Sequence, residues 1–353
     1  MAERILTPLH LNRALLARQL LLERAEVSVE RAVELVGSIQ TQYAPSGYVG
    51  LWSRVAGFRR EDLTRALEQR IVVQGTLQRS TIHLISAREY WLYAAGVRRA
   101  RQEWWLRLRR GGGSAAAEWQ TRAAEQERRA AGLTAALADG PRSVAQLGAL
   151  GGGFIGNLAL WVDIVRVPPS GTWERRRADN LALAEQWDGP QDATEEEGLE
   201  HLVRAYLRGY GPAPYRDIST WAGVPVVPLR AAGERLDLRT YRDEDGKELL
   251  DLPDAPLPDP DTPAPVRFVP HWDANLLVHA RRARIIDEVH RPHFFSSKNP
   301  FSAGAILVDG RVVGNWNMKK DTLMWDLFEA LSSGDERDVR DEAARLEAFH
   351  TDT

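Results

Sequence analysis

The stretch Ile39-Gln-Thr-Gln-Tyr43 places two uncharged amides, Gln40 and Gln42, two residues apart. It follows an apolar run at residues 32–39 with helical spacing, at the point where a proline- and glycine-containing turn begins. In an extended or irregular segment, residues i and i+2 project to the same side, so both amides are expected to face one cleft. The alternative from spacing alone is that the pair merely caps the end of a helix.

Further motifs follow in chain order. They are Trp52-Ser-Arg54, Thr81-Ile-His-Leu84, Tyr210-Gly-Pro212 with Trp221, and Asp309-Gly-Arg-Val-Val-Gly314. Each motif is short. Together with the two glutamines, they follow the motif order of the AlkZ-type DNA glycosylases, which the sequence resembles over nearly its whole length. Members of that family remove alkylated bases and unhook the crosslinks that natural products make in DNA.

The resemblance implies a fold, a partner and an activity. The expected fold is α+β and predominantly helical, with three tandem winged-helix units and a small C-terminal β-containing part, C-shaped around duplex DNA. The expected partner is double-stranded DNA containing alkylated purines. A related branch of the family has aspartate in place of the second glutamine, so Gln42 indicates the Gln-x-Gln branch.

Length and composition agree with a protein of several domains. The chain has 353 residues, of which 44% are hydrophobic, which is enough for a large core divided between two or three domains. The sequence shows no apolar run of membrane-spanning length and no apolar signal region, so a soluble protein of the bacterial cytoplasm, associated with the nucleoid, is expected. The lack of cysteine excludes disulfides, thiolate metal sites and a cysteine nucleophile.

The net charge of −3 is not that of a general nucleic-acid binder, so DNA contacts must come from local basic clusters. Arginine dominates these clusters, which lie at residues 98–110, 175–177 and 281–284. A guanidinium can bind a phosphate through two parallel hydrogen bonds. The alternative for each cluster is a solvated, ion-paired surface.

Periodicity and β-branched runs predict the elements of each unit. In the first unit, helices are expected at 9–22, 28–39, 48–55 and 61–69, followed by strands at 71–75 and 80–85. Helices followed by a hairpin wing are the winged-helix order. In the second unit, the expected wing is a hairpin over residues 164–173 with its tight turn at Pro168-Pro-Ser-Gly171. In the third unit, the hairpin turns at Asp245-Gly246.

These patterns divide the chain into five parts. The parts are winged helix 1 with the glutamine motif at 1–95, a helical connector at 96–135, winged helix 2 at 136–187, winged helix 3 at 195–252 and a C-terminal β-containing region at 262–353. A proline-rich linker precedes the last part. In that part, strands are expected at 266–269, 305–308 and 312–316, and a helix at 342–349.

The two glutamines limit the chemistry. A glutamine amide does not ionise near neutral pH, so it is not a general base, but it can hold a water by hydrogen bonds. This device suffices only for a labile substrate such as a cationic N7-alkylated purine, which departs as a neutral base. The expected protein is a monofunctional DNA glycosylase with Gln40 and Gln42 as catalytic residues. Its expected substrates are bulky adducts or interstrand crosslinks from DNA-alkylating natural products, in repair or self-resistance.

DNA contacts are expected around the motif and in one distant loop. Arg54 and Arg79 are candidates for phosphate contacts, with bracing of the motif as the alternative for Arg54. His83 is expected near the lesion, or else as a structural histidine. Loop 290–301 combines aromatic residues with a lysine, which suits minor-groove insertion but also a core loop. The expected DNA-binding residues are Tyr43, Arg54, Arg79, Thr81, His83, Arg284, His293, Phe294, Phe295 and Lys298.

The sequence predicts no metal, no cofactor and no lyase activity, and a monomer is expected. His290 and His293 have the spacing of metal ligands, but no third ligand of suitable type is placed nearby. A lyase needs an amine nucleophile, and no lysine stands in a motif position. Two alternatives remain open. One is a winged-helix transcription regulator that dimerises through residues 98–131, and the other is a protein that binds the drug or adduct without cutting.

Overall fold

The computed structural model describes residues 4–108, 116–149, 155–190, 193–277, 283–294, 303–320 and 322–351. The N-terminal part contains β1 (Ile5–Leu6), α1 (Pro8–Arg18), α2 (Val29–Val36), β2 (Ile39–Gln40), α3 (Pro45–Trp52), α4 (Arg60–Glu68), β3 (Val72–Thr76) and β4 (Ile82–Ser86). Next come α5 (Ala87–Leu108), α6 (Ala116–Leu137), β5 (Arg142–Ser143), α7 (Val144–Ala149), α8 (Ile155–Leu158), β6 (Ile164–Arg166), β7 (Asn180–Leu183) and α9 (Ala184–Asp188). The remaining elements are α10 (Glu195–Tyr210), α11 (Tyr215–Ala222), α12 (Val226–Gly233), β8 (Arg239–Asp243), β9 (Glu248–Asp251), β10 (Arg267–Val269), α13 (Ala274–Leu277), β11 (Gly304–Val308), β12 (Arg311–Lys319), β13 (Thr322–Leu327) and α14 (Ser333–Thr351).

The signals at the two ends of α2 explain how the chain reaches the glutamine motif. Ser28 caps the helix, because its hydroxyl accepts a hydrogen bond from the backbone N–H of Arg31 at 3.2 Å. Gly37 ends the helix in the left-handed conformation, with φ of 78°, which a residue without a Cβ adopts at little cost. The chain therefore leaves α2 abruptly and enters β2.

A six-stranded sheet with the order β2-β4-β3-β6-β7-β5 joins the first two units. The antiparallel β3–β4 hairpin confirms the strands expected for the first wing, with a 3₁₀ turn at Gln78–Ser80 between them. On its other edge, β3 pairs with β6 through Gln74 opposite Arg166 and Gly75 opposite Val165. The strands of the first and second units therefore belong to one continuous sheet.

The expected hairpin of the second unit is wrong in its second strand. β6 pairs with β7 at Asn180–Leu183, and residues 167–179 form a long loop. The hydroxyl of Ser170 accepts hydrogen bonds from Asp179 N at 2.6 Å and Asn180 N at 3.0 Å, and donates to Arg177 O at 2.7 Å. This side chain closes the loop across ten residues, so the proline-glycine turn does not close a tight hairpin.

The third unit packs on the first through two glycines. α5 and α10 cross at Gly96 and Gly198, and a Cβ on Gly96 would lie 2.6 Å from the Gly198 carbonyl oxygen. The boundary expected between residues 95 and 96 falls inside α5, which runs on to residue 108. The β8–β9 hairpin has its turn at the expected Asp245-Gly246, and β1 adds to it as a parallel strand.

The C-terminal part contains more regular secondary structure than its sequence predicts. Its antiparallel sheet has the order β10-β11-β12-β13, and the last strand was not expected from the sequence. Only Leu323 is fully buried along β13, and Asp326 interrupts the apolar pattern, which explains the missing signal. The closing helix begins at Ser333 and not at residue 342.

One large core connects the first unit, the third unit and the C-terminal part, and Val165 and Trp173 of the second unit also belong to it. It includes Leu15 of α1, Tyr48 of α3, Tyr206 of α10, Phe268 of β10 and Leu346 of α14. The second unit has a smaller core of its own between α6, α8, β6 and β7. None of the helices described is both long and apolar enough to cross a lipid bilayer.

We expect Gly96→Ala to lower the free energy of unfolding by about 3 kcal/mol, because the added methyl group would force α5 and α10 apart. Gly132→Ala in α6 is the matched control, since a Cβ there meets nothing within 4 Å. Helix propensity should make that variant more stable by about 0.5–1 kcal/mol. Urea denaturation followed by circular dichroism measures both, and equal shifts would contradict the tight crossing.

Candidate active site

The backbone after α2 places both glutamines at one edge of the six-stranded sheet. Ser38 has φ of 95°, in the left-handed region, and turns the chain into β2. Gln40 then pairs with His83 across the β2–β4 ladder, and Thr41 N donates to Ile82 O at 2.8 Å. The second glutamine follows at once, before the chain enters α3. Gln40 therefore lies on an edge strand and Gln42 just beyond it, and the backbone of both is positioned by β4.

Both amides are oriented by partners that can only donate. Gln40 Oε1 accepts a hydrogen bond from Arg79 Nη2 at 2.9 Å, and Gln42 Oε1 accepts one from Ile82 N at 3.2 Å. The oxygen of each amide is therefore the atom that faces its donor, and it keeps a second lone pair that can still accept a hydrogen bond. Among the described residues, neither amide nitrogen has a hydrogen-bond acceptor. Gln40 is 6% exposed and Gln42 is exposed, so the N–H₂ groups remain available for a ligand.

Arg79 occupies the turn between β3 and β4 in a strained backbone conformation. Its φ is 50° and that of Ser80 is 62°, values that residues other than glycine rarely adopt. Its second terminal nitrogen, Nη1, donates to the carbonyl oxygen of Trp221 in α11. Burial lowers the pKa of the Arg79 guanidinium to about 10, and nearby Tyr210 acts in the opposite direction. The guanidinium is therefore still cationic at neutral pH.

A ring of hydrogen bonds beneath this turn contains His83 and Thr81. Gln78 Nε2 donates to Ser38 Oγ at 3.3 Å, and Ser38 donates to His83 Nδ1 at 3.2 Å. His83 Nε2 donates to Thr81 Oγ1 at 2.9 Å, and Thr81 donates to the Gln78 carbonyl oxygen at 3.2 Å. The tautomer follows because the Gln78 amide nitrogen can only donate and the Gln78 carbonyl oxygen can only accept. The hydrogen bonds between them must therefore all run in one direction.

This ring makes His83 a buried, neutral histidine. Burial, followed by the charge of Arg79, holds the pKa of His83 well below its usual range. The side chain is 1% exposed, so it lies beneath the motif and not on the surface that DNA would touch. Of the two roles expected from the sequence, this position fits the structural one.

Residues from the second unit and the C-terminal part surround Tyr43. Arg176 Nη1 donates to the Tyr43 hydroxyl at 3.3 Å, and the ring of His271 lies edge-on at 6.0 Å. His271 Nε2 is hydrogen-bonded to Asn317 Oδ1 at 2.8 Å. Burial lowers the pKa of His271, and the bond to Asn317 opposes that shift. The motif of the first unit is thus bordered by two other parts of the chain.

The residues around Tyr43 show what a sequence can and cannot reveal. Arg176 carried a signal, because it belongs to the arginine cluster at 175–177. His271 and Asn317 carried none, because most of the chain separates them from the motif and no spacing relates them to it. Within the ranges described, no group of three or more histidine, aspartate or glutamate side chains is arranged to hold a metal ion.

Arg54 braces the motif from inside the protein. Its guanidinium is bonded to Asp273 Oδ2 at 2.9 Å, to Gln19 Oε1 at 3.1 Å and to the Gly50 carbonyl oxygen at 3.0 Å. Arg54 is 2% exposed. A phosphate contact would require this buried ion pair to break, so the bracing role is the one that this position fits.

The C-terminal ends of three helices converge beside Gln19 and Arg54. Gln19 Nε2 donates to the carbonyl oxygens of Val36 at 3.0 Å and Gly209 at 2.9 Å, which lie at the C-terminal ends of α2 and α10. Gly50, which accepts from Arg54, lies near the C-terminal end of α3. Carbonyl groups that the helices leave unpaired are therefore satisfied by one amide and one guanidinium.

The other expected DNA contacts occupy different surroundings. Arg284 is 7% exposed and donates to the Tyr210 carbonyl oxygen at 3.3 Å, so it is buried with the third unit. Phe294 is 4% exposed and belongs to the large core. His293 is exposed and stacks on Phe328 at 4.1 Å. Two further expected contacts lie outside the described residues, namely Phe295 and Lys298.

The sequence matches the family described as DNA glycosylase AlkZ-like over residues 33–349, from the helix before the glutamine motif to the last helix. The chain belongs to the AlkZ-like DNA glycosylase family. It is therefore a DNA glycosylase, and DNA is its substrate, which favours the enzyme over the transcription regulator. The expected α+β fold is confirmed as well.

A solved structure supports the fold of this AlkZ-like chain. The structure of the Streptomyces sahachiroi DNA glycosylase AlkZ matches it with a TM-score of 0.77 and 17% sequence identity. The match covers 98% of this chain and 97% of that chain. At such low identity, the likeness establishes a shared fold. No curated protein shows a significant sequence match.

In this AlkZ-like protein, we expect His83→Ala to lower the free energy of unfolding by about 2–3 kcal/mol, because it removes two bonds of the buried ring. Urea denaturation measures the change. His293→Ala, at an exposed position, is the control and should cost less than about 1 kcal/mol. Equally small changes in the two variants would contradict a structural role for His83.

Proposed function

We propose that this AlkZ-like glycosylase hydrolyses the N-glycosidic bond of cationic N7-alkylpurines, including bulky adducts and interstrand crosslinks made by DNA-alkylating natural products. The observation that carries the proposal is the pair of oriented amides at Gln40 and Gln42. In the described structure, the groups bonded to these amides include no carboxylate that could act as a base. Such a site suits a substrate that needs only a positioned water.

The leaving group supplies most of the driving force in this reaction. When the bond between purine N9 and sugar C1′ breaks, its electron pair passes to the purine and cancels the positive charge there. The sugar becomes cationic, the water oxygen forms a new bond to C1′, and one water proton passes to the solvent. The products are a free alkylpurine and an abasic site. The task left to the protein is to hold the water in line with C1′.

Two amides can hold one water without blocking its attack. The N–H of one amide donates to a lone pair of the water, and the carbonyl of the other, which retains a second lone pair, accepts one of its hydrogens. The other lone pair of the water then points at C1′. This division explains why both Gln40 and Gln42 are needed and why neither has to ionise.

The same site should leave undamaged purines in place. A neutral purine departs as an anion unless a general acid protonates it. The histidine in the ring beneath the motif, His83, is buried and neutral. Selectivity for cationic lesions then follows from the absence of acid catalysis at the glutamines. A positively charged leaving group is itself the activation that the reaction requires.

Contacts with the DNA backbone fit the second unit. Arg175, Arg176 and Arg177 are exposed on the loop that reaches Tyr43. A guanidinium there can bind a phosphate beside the lesion. Of the contacts inferred from the sequence, Tyr43 and His293 remain candidates on the surface.

We also propose a monofunctional enzyme that acts as a monomer in the bacterial cytoplasm, near the nucleoid, in repair or self-resistance. A lyase step would need an amine at C1′. Lys247 is exposed and paired with Asp245 at 3.2 Å, and none of the bonds described at the glutamines involves a lysine. The enzyme is therefore expected to leave an intact strand with an abasic site, and strand cleavage should require added alkali.

We expect Gln40→Ala and Gln42→Ala each to slow base release by about 100-fold, because the attacking water loses one of its two hydrogen-bond partners. The measurement uses a duplex with a single N7-methylguanine, single-turnover conditions, and alkali to reveal abasic sites. Gln69→Ala, at an exposed glutamine that ends α4, is the matched control and should keep the wild-type rate.

Two outcomes of this experiment would reject the proposed function. One is wild-type protein that releases no base above the spontaneous rate from either the methylated or a crosslinked duplex. The other is unchanged rates in both motif variants. Binding to undamaged DNA at a defined sequence, without base release, would instead support the transcription regulator, and tight binding without an abasic product would support sequestration.

We expect the rate of base release to be constant between about pH 6 and pH 8. Burial holds the pKa of His83 well below its usual range and also lowers the pKa of His271, and the glutamines do not titrate. A single-turnover pH profile tests this expectation. A bell-shaped profile with a midpoint in the range would show that an ionising group takes part in the reaction.

A further inference from the structure

We propose that Arg79 is a positioning residue that orients the Gln40 amide, so that Gln40 presents its N–H₂ group to the attacking water while Gln42 offers its carbonyl. The inference rests on the proposed function, because it assigns separate tasks to two amides of that site. It also replaces the phosphate contact that the sequence suggests for Arg79.

The two amides have unlike partners. Gln40 Oε1 is bonded to a cation, Arg79, at 2.9 Å, and Gln42 Oε1 is bonded to a neutral backbone N–H, that of Ile82, at 3.2 Å. A charge-assisted bond is stronger than a neutral one, and it draws electron density from the carbonyl it holds. Gln40 is therefore the better N–H donor, and Gln42 keeps more capacity to accept.

Arg79 is held too firmly to follow a phosphate. Both of its terminal nitrogens are engaged, one by Gln40 and the other by the Trp221 carbonyl oxygen. Gly223, just after α11, packs on the turn, since a Cβ there would lie 3.1 Å from Arg79 N and 3.2 Å from its Cα. The C-terminal end of α11 also carries partial negative charge, which favours a guanidinium.

The attack requires one amide that donates a hydrogen bond to the water and one that accepts a hydrogen bond from it. A water that accepted hydrogen bonds from both glutamines would use both of its lone pairs and would have none left for C1′. With Gln40 as donor and Gln42 as acceptor, one lone pair stays available. Arg79 thus determines which amide donates to the water. Its own position is fixed by α11 of the third unit.

The first test compares two glutamates at the motif, with Arg79 intact. Gln40→Glu keeps an oxygen for Arg79 but has no N–H, so base release from N7-methylguanine duplex should fall by about 100-fold, to the level of Gln40→Ala. Gln42→Glu keeps an accepting oxygen, so its rate should stay within about tenfold of wild type. A wild-type rate in Gln40→Glu, or a greater loss in Gln42→Glu than in Gln40→Glu, would overturn the assignment.

The second test separates positioning from phosphate binding. In Arg79→Met, the single-turnover rate at saturating enzyme should fall by about 10- to 100-fold, while the Kd for the duplex stays within about twofold of wild type. Arg65→Met, at an exposed arginine on α4, is the control and should change neither quantity. A weaker Kd with a smaller salt dependence and an unchanged rate would show that Arg79 binds phosphate, and would overturn the inference.

A double variant links the two residues. If Arg79 acts through Gln40, then Arg79→Met should cause no further loss of rate in a Gln40→Ala background, and circular dichroism shows whether each variant is folded. A multiplicative loss in folded protein would overturn the inference. These outcomes are distinct from failure of the proposed function, in which wild-type protein itself releases no base.

Discussion

The buried contact between Arg54 and Asp273 holds three parts of the molecule around the glutamine motif. The guanidinium reaches the carbonyl end of α3, and through Gln19 it is connected to the carbonyl ends of α2 and α10. The negative ends of three helix dipoles are therefore gathered beside one cation, and Asp273 balances its charge. Removing one partner of a buried ion pair costs about 3–5 kcal/mol, because the other charge is left uncompensated. The first unit, the third unit and the C-terminal part thus share this buried contact.

The proposed reaction gives this rigid support a chemical reason. An amide brings neither a charge nor a transferable proton to the reaction, so its contribution depends wholly on where its atoms lie. Gln40 sits on an edge strand only two residues long, which by itself would fix little. Its support comes from the left-handed turn that carries Arg79, from the hydrogen-bonded ring around His83, and from α11. Strain in that turn is sustained because the surrounding contacts determine its conformation.

Local signals in the sequence predicted local structure. The predictions were wrong where contacts with residues distant in sequence determine the structure. The start of α2 at Ser28 and the strands of the first hairpin follow from residue type and spacing, whereas Gly37 ends that helix before the expected residue 39. The second wing did not follow from them, because Ser170 bonds to backbone ten residues away and lengthens the loop. Arg54 shows the same limit at the site. Residue type does not separate a phosphate ligand from an internal brace, and the partner that decides, Asp273, lies 219 residues further along the chain.

The central strand β3 also holds the first two units in a fixed arrangement. It is hydrogen-bonded to β4 on one edge and to β6 on the other, so the first two units cannot pivot without breaking backbone pairs. A duplex bound across these two units would therefore meet a fixed frame. Bending a duplex costs elastic energy that depends on its local stiffness. Under the proposed function, a lesion that weakens stacking would be bent against this frame at lower cost than undamaged DNA.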